Sequence, residues 1–315
     1  MDRHNEVMSG EGLQNEGPQV ETNSLRIAEI LKAFELFDGV YKHAQVDAAL
    51  ELQEEITPHL IGVLEQVLSD PASYADNQDY YAHIYALILL GHFEEHRAHR
   101  VIVELFSLPP DLPYQLFGDL VTENLPIILF RTCGGSTDMI RSLILNKDAD
   151  EYCRSSAMRA MVFAVADGMI LREEVLALFR SLFTGNEADS DSSFWSFLAN
   201  SVCDLYPEGM MEVIEKAYRD GLISPWVIGI EDFERALRAD KEQAFEQVRT
   251  KIRRKSPENV HDYMSWWACF RTREPSPSSS TPSTEKARRK SKNNEKARRR
   301  KVRKRERASK KKGRW

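Results

Sequence analysis

The sequence predicts an all-α body of stacked helical hairpins, an α-solenoid, between disordered termini. Three observations lead there. Helix formers dominate and β-branched alternation is scarce, so patterns of period 3.6 prevail over patterns of period 2. Apolar helix pairs recur from positions 79, 111, 150 and 191, spaced by 32, 39 and 41 residues. With 315 residues and 42% hydrophobic content, the chain can bury a sizeable core, roughly 70–75% of its unfolded surface.

Residues 1–23 have no apolar core and a mildly acidic balance, which fits a disordered segment and not a secretory leader. The helical domain is placed at 24–256. "SLRIAEILKAFELF" (24–37) puts Leu25, Ala28, Ile30, Leu31, Phe34 and Phe37 on one face, and Asp38-Gly39 stops it. Two helices follow, 43–57 and 58–70, with Pro58 at the start of the second, where its missing N–H costs nothing. Segment 79–109 reads as an apolar helix, a short polar turn and a second helix ended by Pro109-Pro110. Segment 111–148 is interrupted at Pro126 and Gly134-Gly135; 150–185 turns at Asp167-Gly168; 191–221 turns at Pro207 and stops at Gly221. Segment 224–256 closes the array as a cap. Residues 257–273 are an aromatic capping segment in which "YMSWWACF" folds back on the last repeat. The Ser/Pro/Thr linker 274–284 and a disordered polybasic tail, 285–315, complete the chain.

"DADEYCRSSAMRAM" (148–161) explains why hairpins stack. Asp150 can cap the helix or favour its dipole, and lies four residues before Arg154, an order worth ~0.2–0.5 kcal/mol as an ion pair. Ala157 and Ala160 let a neighbouring helix approach closely. The segment resembles the first helix of a HEAT repeat, which makes the expected fold HEAT/armadillo-like. A wider resemblance covers about 24–240. "LFGDLVTENLPIIL" (116–129), "KDADEYCRSSAMRAM" (147–161) and "DGLISPWVIGIEDFERAL" (220–237) resemble the uncharacterised bacterial family catalogued as domain of unknown function 1186. That resemblance implies a helical fold and no established activity. Many members of that family carry a SEC-C zinc motif with closely paired cysteines. No cysteine follows Cys269 here, so the zinc-binding and docking role of that motif is not carried over.

Cys133, Cys153, Cys203 and Cys269 are far apart, each in an apolar context, and read as small buried residues of a reducing compartment. The longest apolar run, Ile84–Leu90, is far short of the ~20 residues of a membrane span, so a cytoplasmic location is expected. "HFEEH" fits H-x-x-E-H, in which His92 and His96 would grip a metal and Glu95 would act as general base. Glu173 or Glu174 could supply a third ligand. The plainer reading is a polar surface turn between two apolar helices, with His83 a helix-face histidine. "GDLVTENLP" (118–126) gathers Asp119, Glu123 and Asn124, as carboxylates for acid–base work or as caps at a helix break. No phosphate loop or dinucleotide fingerprint occurs, and "TCGGST" (132–137) reads as a loop.

The charge divides sharply. Residues 285–315 hold 18 Lys+Arg and 3 Glu, a net +15, which leaves −21 for the rest. The tail repeats crudely at ten residues. Of its 18 basic side chains, Lys286, Arg288, Arg289, Lys290, Lys296, Arg298, Arg299, Arg300, Lys301, Arg303, Lys304, Arg305, Arg307, Lys310, Lys311, Lys312 and Arg314 would meet phosphates with a steep salt dependence and little sequence preference. An anionic surface and the acidic body itself are the competing partners. The reading is a non-enzymatic binding or scaffold protein without a cofactor, whose solenoid engages a protein partner on its concave face while the tail contacts RNA, DNA or the ribosome. The alternative is a metal-dependent hydrolase using His92, Glu95 and His96.

Overall fold

A computed structural model describes residues 18–256 and 258–270. Most of the expected N-terminal segment, the linker 274–284 and the polybasic tail lie outside the described residues. Within them the chain is all-α, with no strand beyond one isolated bridge between Leu36 and Tyr80.

Helix α1 (Pro18–Glu35) starts earlier than its apolar pattern. It buries Ile27, Ile30 and Phe34, while Leu25 is 69% exposed, so the packed face is rotated from the expected one. Helices α2 (His43–Glu51) and α3 (Gln53–Ser69) meet at Leu52. Pro58 therefore falls inside α3 and not at a helix start. The helix continues through it because Ile56, Leu60, Val63, Leu64 and Val67 are all buried, and their packing outweighs one missing hydrogen bond.

After the short α4 (Pro71–Asp76), α5 (Ala82–His92) is buried along almost its whole length. That is what an all-round apolar sequence requires. Gly91 lets α5 meet α9 (Leu125–Thr132): a Cβ there would lie 2.8 Å from Ile128 Cγ1. Between them come α6 (His99–Phe106), α7 (Leu112–Phe117) and α8 (Leu120–Glu123). Hairpins follow: α10 (Asp138–Leu145) leads into α11 (Glu151–Ala166), which turns at Asp167-Gly168 into α12 (Arg172–Leu182). Next come α13 (Phe194–Asp204), α14 (Met211–Arg219), α15 (Ile230–Arg238), the long α16 (Lys241–Lys255) and the single-turn α17 (His261–Met264).

Helices α3, α5, α9, α11, α13 and α15 lie in a row, each packed on the next; α6, α10 and α12 form a second layer against them. Polar side chains stitch neighbouring repeats together. His83 Nε2–H donates to the Leu116 carbonyl, Arg154 to Glu187, Arg172 to Leu205, Ser156 to Val121 and Tyr206 to Leu237. These partners are 31–35 residues apart, one repeat. The carbonyls of Leu116, Val121, Leu205 and Leu237 lie at helix ends, where they would otherwise be left over, and that of Glu187 lies in the loop before α13.

Asp150 caps α11 by accepting from the Tyr152 N–H at 2.8 Å. The expected Asp150–Arg154 pair does not form. Arg154 instead turns inward, where its guanidinium donates to the Ile144 and Glu187 carbonyls, pairs with the Glu187 carboxylate and lies 4.0 Å over the Phe194 ring. An inward Arg making three hydrogen bonds and stacking on an aromatic ring is worth more to the stack than a solvated helix pair.

The end of the body departs most from expectation. Helix α16 does not continue the array but packs across α11 and α13. Arg249 donates to the Ala166 carbonyl, Lys251 pairs with Asp204, and Lys255 reaches Glu123. Residues 258–270 then run back to the first hairpins and not onto the last repeat. His261 meets Tyr41 and Asp47, Tyr263 lies edge-on to His92, and Phe270 sits among Phe37, Tyr41 and Tyr81. The row and this returning segment together bury the core.

Candidate functional site

The returning segment leaves a cleft of about 770 Å³ against α7 and α8. Its floor is built by local strain. Asp111 takes φ 82° before α7, and Gly118 takes φ 53° after it, so the chain doubles back and α8 starts beside α7. Under this corner His83 stacks on Tyr80 and holds the Leu116 carbonyl at 2.7 Å. Burial depresses the His83 imidazole to about 4, so the ring is neutral at pH 7.

One wall of the cleft carries Tyr114, Asp119, Glu123 and Asn124; the other carries Tyr263, Trp266, Trp267 and Cys269, with Arg254 and Lys255 at one end. Tyr114 is 58% exposed and Trp266 62%, so two aromatic faces stand open to solvent. Lys255 donates to the Glu123 carbonyl at 2.6 Å and pairs with its carboxylate at 3.3 Å, tying the two walls together. The Tyr114 hydroxyl lies 3.5 Å from the Asp119 carboxylate. Neither acid caps a helix with its side chain, so the capping expectation for Asp119 gives way to a carboxylate lining a cleft. The deeper wall is aromatic: Tyr81 approaches Cys269 Sγ at 3.8 Å, and burial first, then Cys269, push its phenol upward.

Cys269 is thus an exposed thiol beside the cleft, unlike the buried thiol the sequence suggested. Cys133 and Cys153 are buried as expected, and burial raises both thiols. Trp266 is likewise open to solvent, where a buried capping aromatic was expected.

The other candidate, His92-Glu95-His96, does not form one face. Helix α5 ends at His92, Glu94 takes φ 55°, and His96 begins a separate 3-10 turn. Glu95 caps that turn, and its carboxylate is held well below the usual range, to about 2, chiefly by hydrogen bonds from Arg97. His92 faces Tyr263, with its carbonyl held by Arg131. Glu173 pairs with Arg172. Among the described residues, the one group of three His, Cys, Asp or Glu side chains with converging ligand atoms is His43, Asp47 and His261. Sequence reading missed it because 214 residues separate Asp47 from His261. The one local signal was His43 four residues before Asp47, one helical turn apart.

No described helix is long and apolar enough to cross a membrane. The pattern of the family described as "Protein of unknown function (DUF1186)" matches residues 25–271. An uncharacterized protein of Chlamydia trachomatis serovar D is 32% identical over 211 residues, covering 67% of this chain and 84% of its own length. One from Chlamydia muridarum is 31% identical over 210 residues, with the same coverage. No solved structure matches the chain.

Proposed function

The chain belongs to the DUF1186 family of proteins of unknown function, and for it we propose a role as a cytoplasmic, non-enzymatic binding and scaffold protein. Its body grips a segment of a protein partner, and its basic tail contacts nucleic acid or the ribosome. The observation that carries this reading is the cleft between α7–α8 and the returning segment. It presents open aromatic faces at Tyr114 and Trp266, with Asp119 and Arg254 available for polar contacts. Open aromatics flanked by charge are the chemistry of peptide anchoring. The partner lies in this cleft and not along the row of helices, where α16 already packs across α11 and α13.

The tail's net +15 supports the second contact. Each phosphate neutralised releases counterions, so affinity should fall steeply with salt. The test has two arms. A photo-crosslinker at Trp266 in the full chain should give discrete protein adducts in nuclease-treated extract that a control position at Glu215 does not. RNA binding should weaken with salt in the full chain and be lost in residues 1–284. Equal crosslinking at both positions would sink the cleft, and equal RNA affinity with and without the tail would sink the tail.

A further inference from the structure

His43 opens α2, Asp47 lies one turn further on, and His261 opens α17 on the returning segment. The Asp47 carboxylate accepts from both rings: from His43 Nδ1 at 2.9 Å through Oδ2, and from His261 Nε2 at 2.9 Å through Oδ1. The three ligand atoms lie within 4.8 Å of one another. On the far side of the His261 ring, Nδ1 meets the Tyr41 hydroxyl at 2.7 Å. We propose that His43, Asp47 and His261 form a binding site for a divalent transition metal ion, with Tyr41 positioning the His261 ring.

Two imidazole nitrogens and one carboxylate oxygen are the donor set of an open zinc site, three protein ligands and a water. The Tyr41 hydroxyl supplies the outer contact that metal-bound histidines make through their second nitrogen. Because a hydroxyl both donates and accepts, it serves either tautomer of His261. On metal binding, the proton on Nε2 is replaced by the ion, and His261 carries its proton on Nδ1, donating to Tyr41. His43 likewise carries its proton on Nε2, toward solvent. The two rings are stacked, with centroids 3.7 Å apart and 11° between planes. One ion cannot lie in both planes at once, so one ring must turn. His43 is the ring that turns: its side chain is 62% exposed, against 11% for His261. The ion would clamp the returning segment onto the first hairpin, across 214 residues of chain.

The experiment titrates Zn²⁺ into chelator-treated full-length protein by calorimetry, with Mg²⁺ as a hard-cation comparison. The expected result is one equivalent of zinc, at least tenfold weaker in His43→Ala and Asp47→Asn, and 10–100-fold weaker in Tyr41→Phe. Magnesium should not compete. His43→Ala removes an exposed ring, so its metal-free melting curve should match the parent and keep the test free of folding loss. Zinc should raise the melting midpoint of the parent chain and not that of His43→Ala. No zinc binding by the parent, or undiminished binding by His43→Ala, overturns the proposal; so does equal competition by magnesium.

Discussion

Arg154 and Glu187, 33 residues apart, form an ion pair at 3.2 Å in which the guanidinium side chain is 2% exposed. The pair joins adjacent repeats, and its other donors go to the Ile144 and Glu187 carbonyls. Removing one partner of such a pair leaves an uncompensated buried charge or two unpaired carbonyls. Arg154→Ala should therefore cost about 3–5 kcal/mol of stability, read by urea unfolding. A loss below about 1 kcal/mol would show that the pair behaves as a surface contact.

Gly91→Ala tests the α5–α9 approach. Helix propensity alone favours Ala by about 1 kcal/mol. The new Cβ would fall 2.8 Å from Ile128 Cγ1, and overpacking costs about 1–3 kcal/mol. The expected sign is destabilising, with the penalty relieved in an Ile128→Ala background. A stabilising Gly91→Ala would mean that α9 yields freely.

Acid should begin to weaken the fold near pH 6.5, above the ordinary carboxylate range. His83 and His99 are buried, and burial depresses both to about 4. The unfolded chain takes up protons at these sites near pH 6.5, while the folded chain does not. Their contribution is therefore complete above about pH 6.5 and lost as pH falls toward 4, on the order of 3 kcal/mol for each. Chemical denaturation at several pH values reads the slope. His83→Leu should flatten it, at a neutral-pH cost of about 1–3 kcal/mol for the unpaired Leu116 carbonyl. An unchanged slope would assign the acid sensitivity elsewhere.

Thiol labelling tests the returning segment. In native protein, Cys269 should react first with an uncharged disulfide reagent, Cys203 later, and Cys133 and Cys153 only on unfolding. Cys269→Ser should abolish the fast phase. A fast phase surviving that substitution would place the returning segment differently against Tyr81.

The sequence carried the local grammar of this fold well. The turns at Asp167-Gly168 and Gly221, the cap at Asp150 and the close-packing alanines Ala157 and Ala160 all depend on near neighbours, and all occur as expected. Pro58 and Leu25 were misjudged because tertiary packing overrides a local signal: the buried row on α3 carries the helix through a proline, and α1 turns its face to suit α2 and α5. The direction of Arg154 was equally hidden, since Glu187 lies one repeat away. The cleft was half visible. Asp119 and Glu123 stood out as an acidic cluster, but the opposing wall is contributed by residues 254–269, and no periodicity reveals a chain reversal across more than a hundred residues. The His43–Asp47–His261 group was beyond reach for the same reason.

That reversal has a thermodynamic consequence. A linear array of repeats touches only its neighbours, so it can melt from either end, one unit at a time. Here the last residues of the body rest on the first hairpins, through His261 on Asp47 and Phe270 on Tyr41. Fraying the first repeat exposes the returning segment, and fraying the last pulls on α16. The two ends share one fate, and the array gains the cooperativity of a closed ring at the cost of slow, long-range closure during folding.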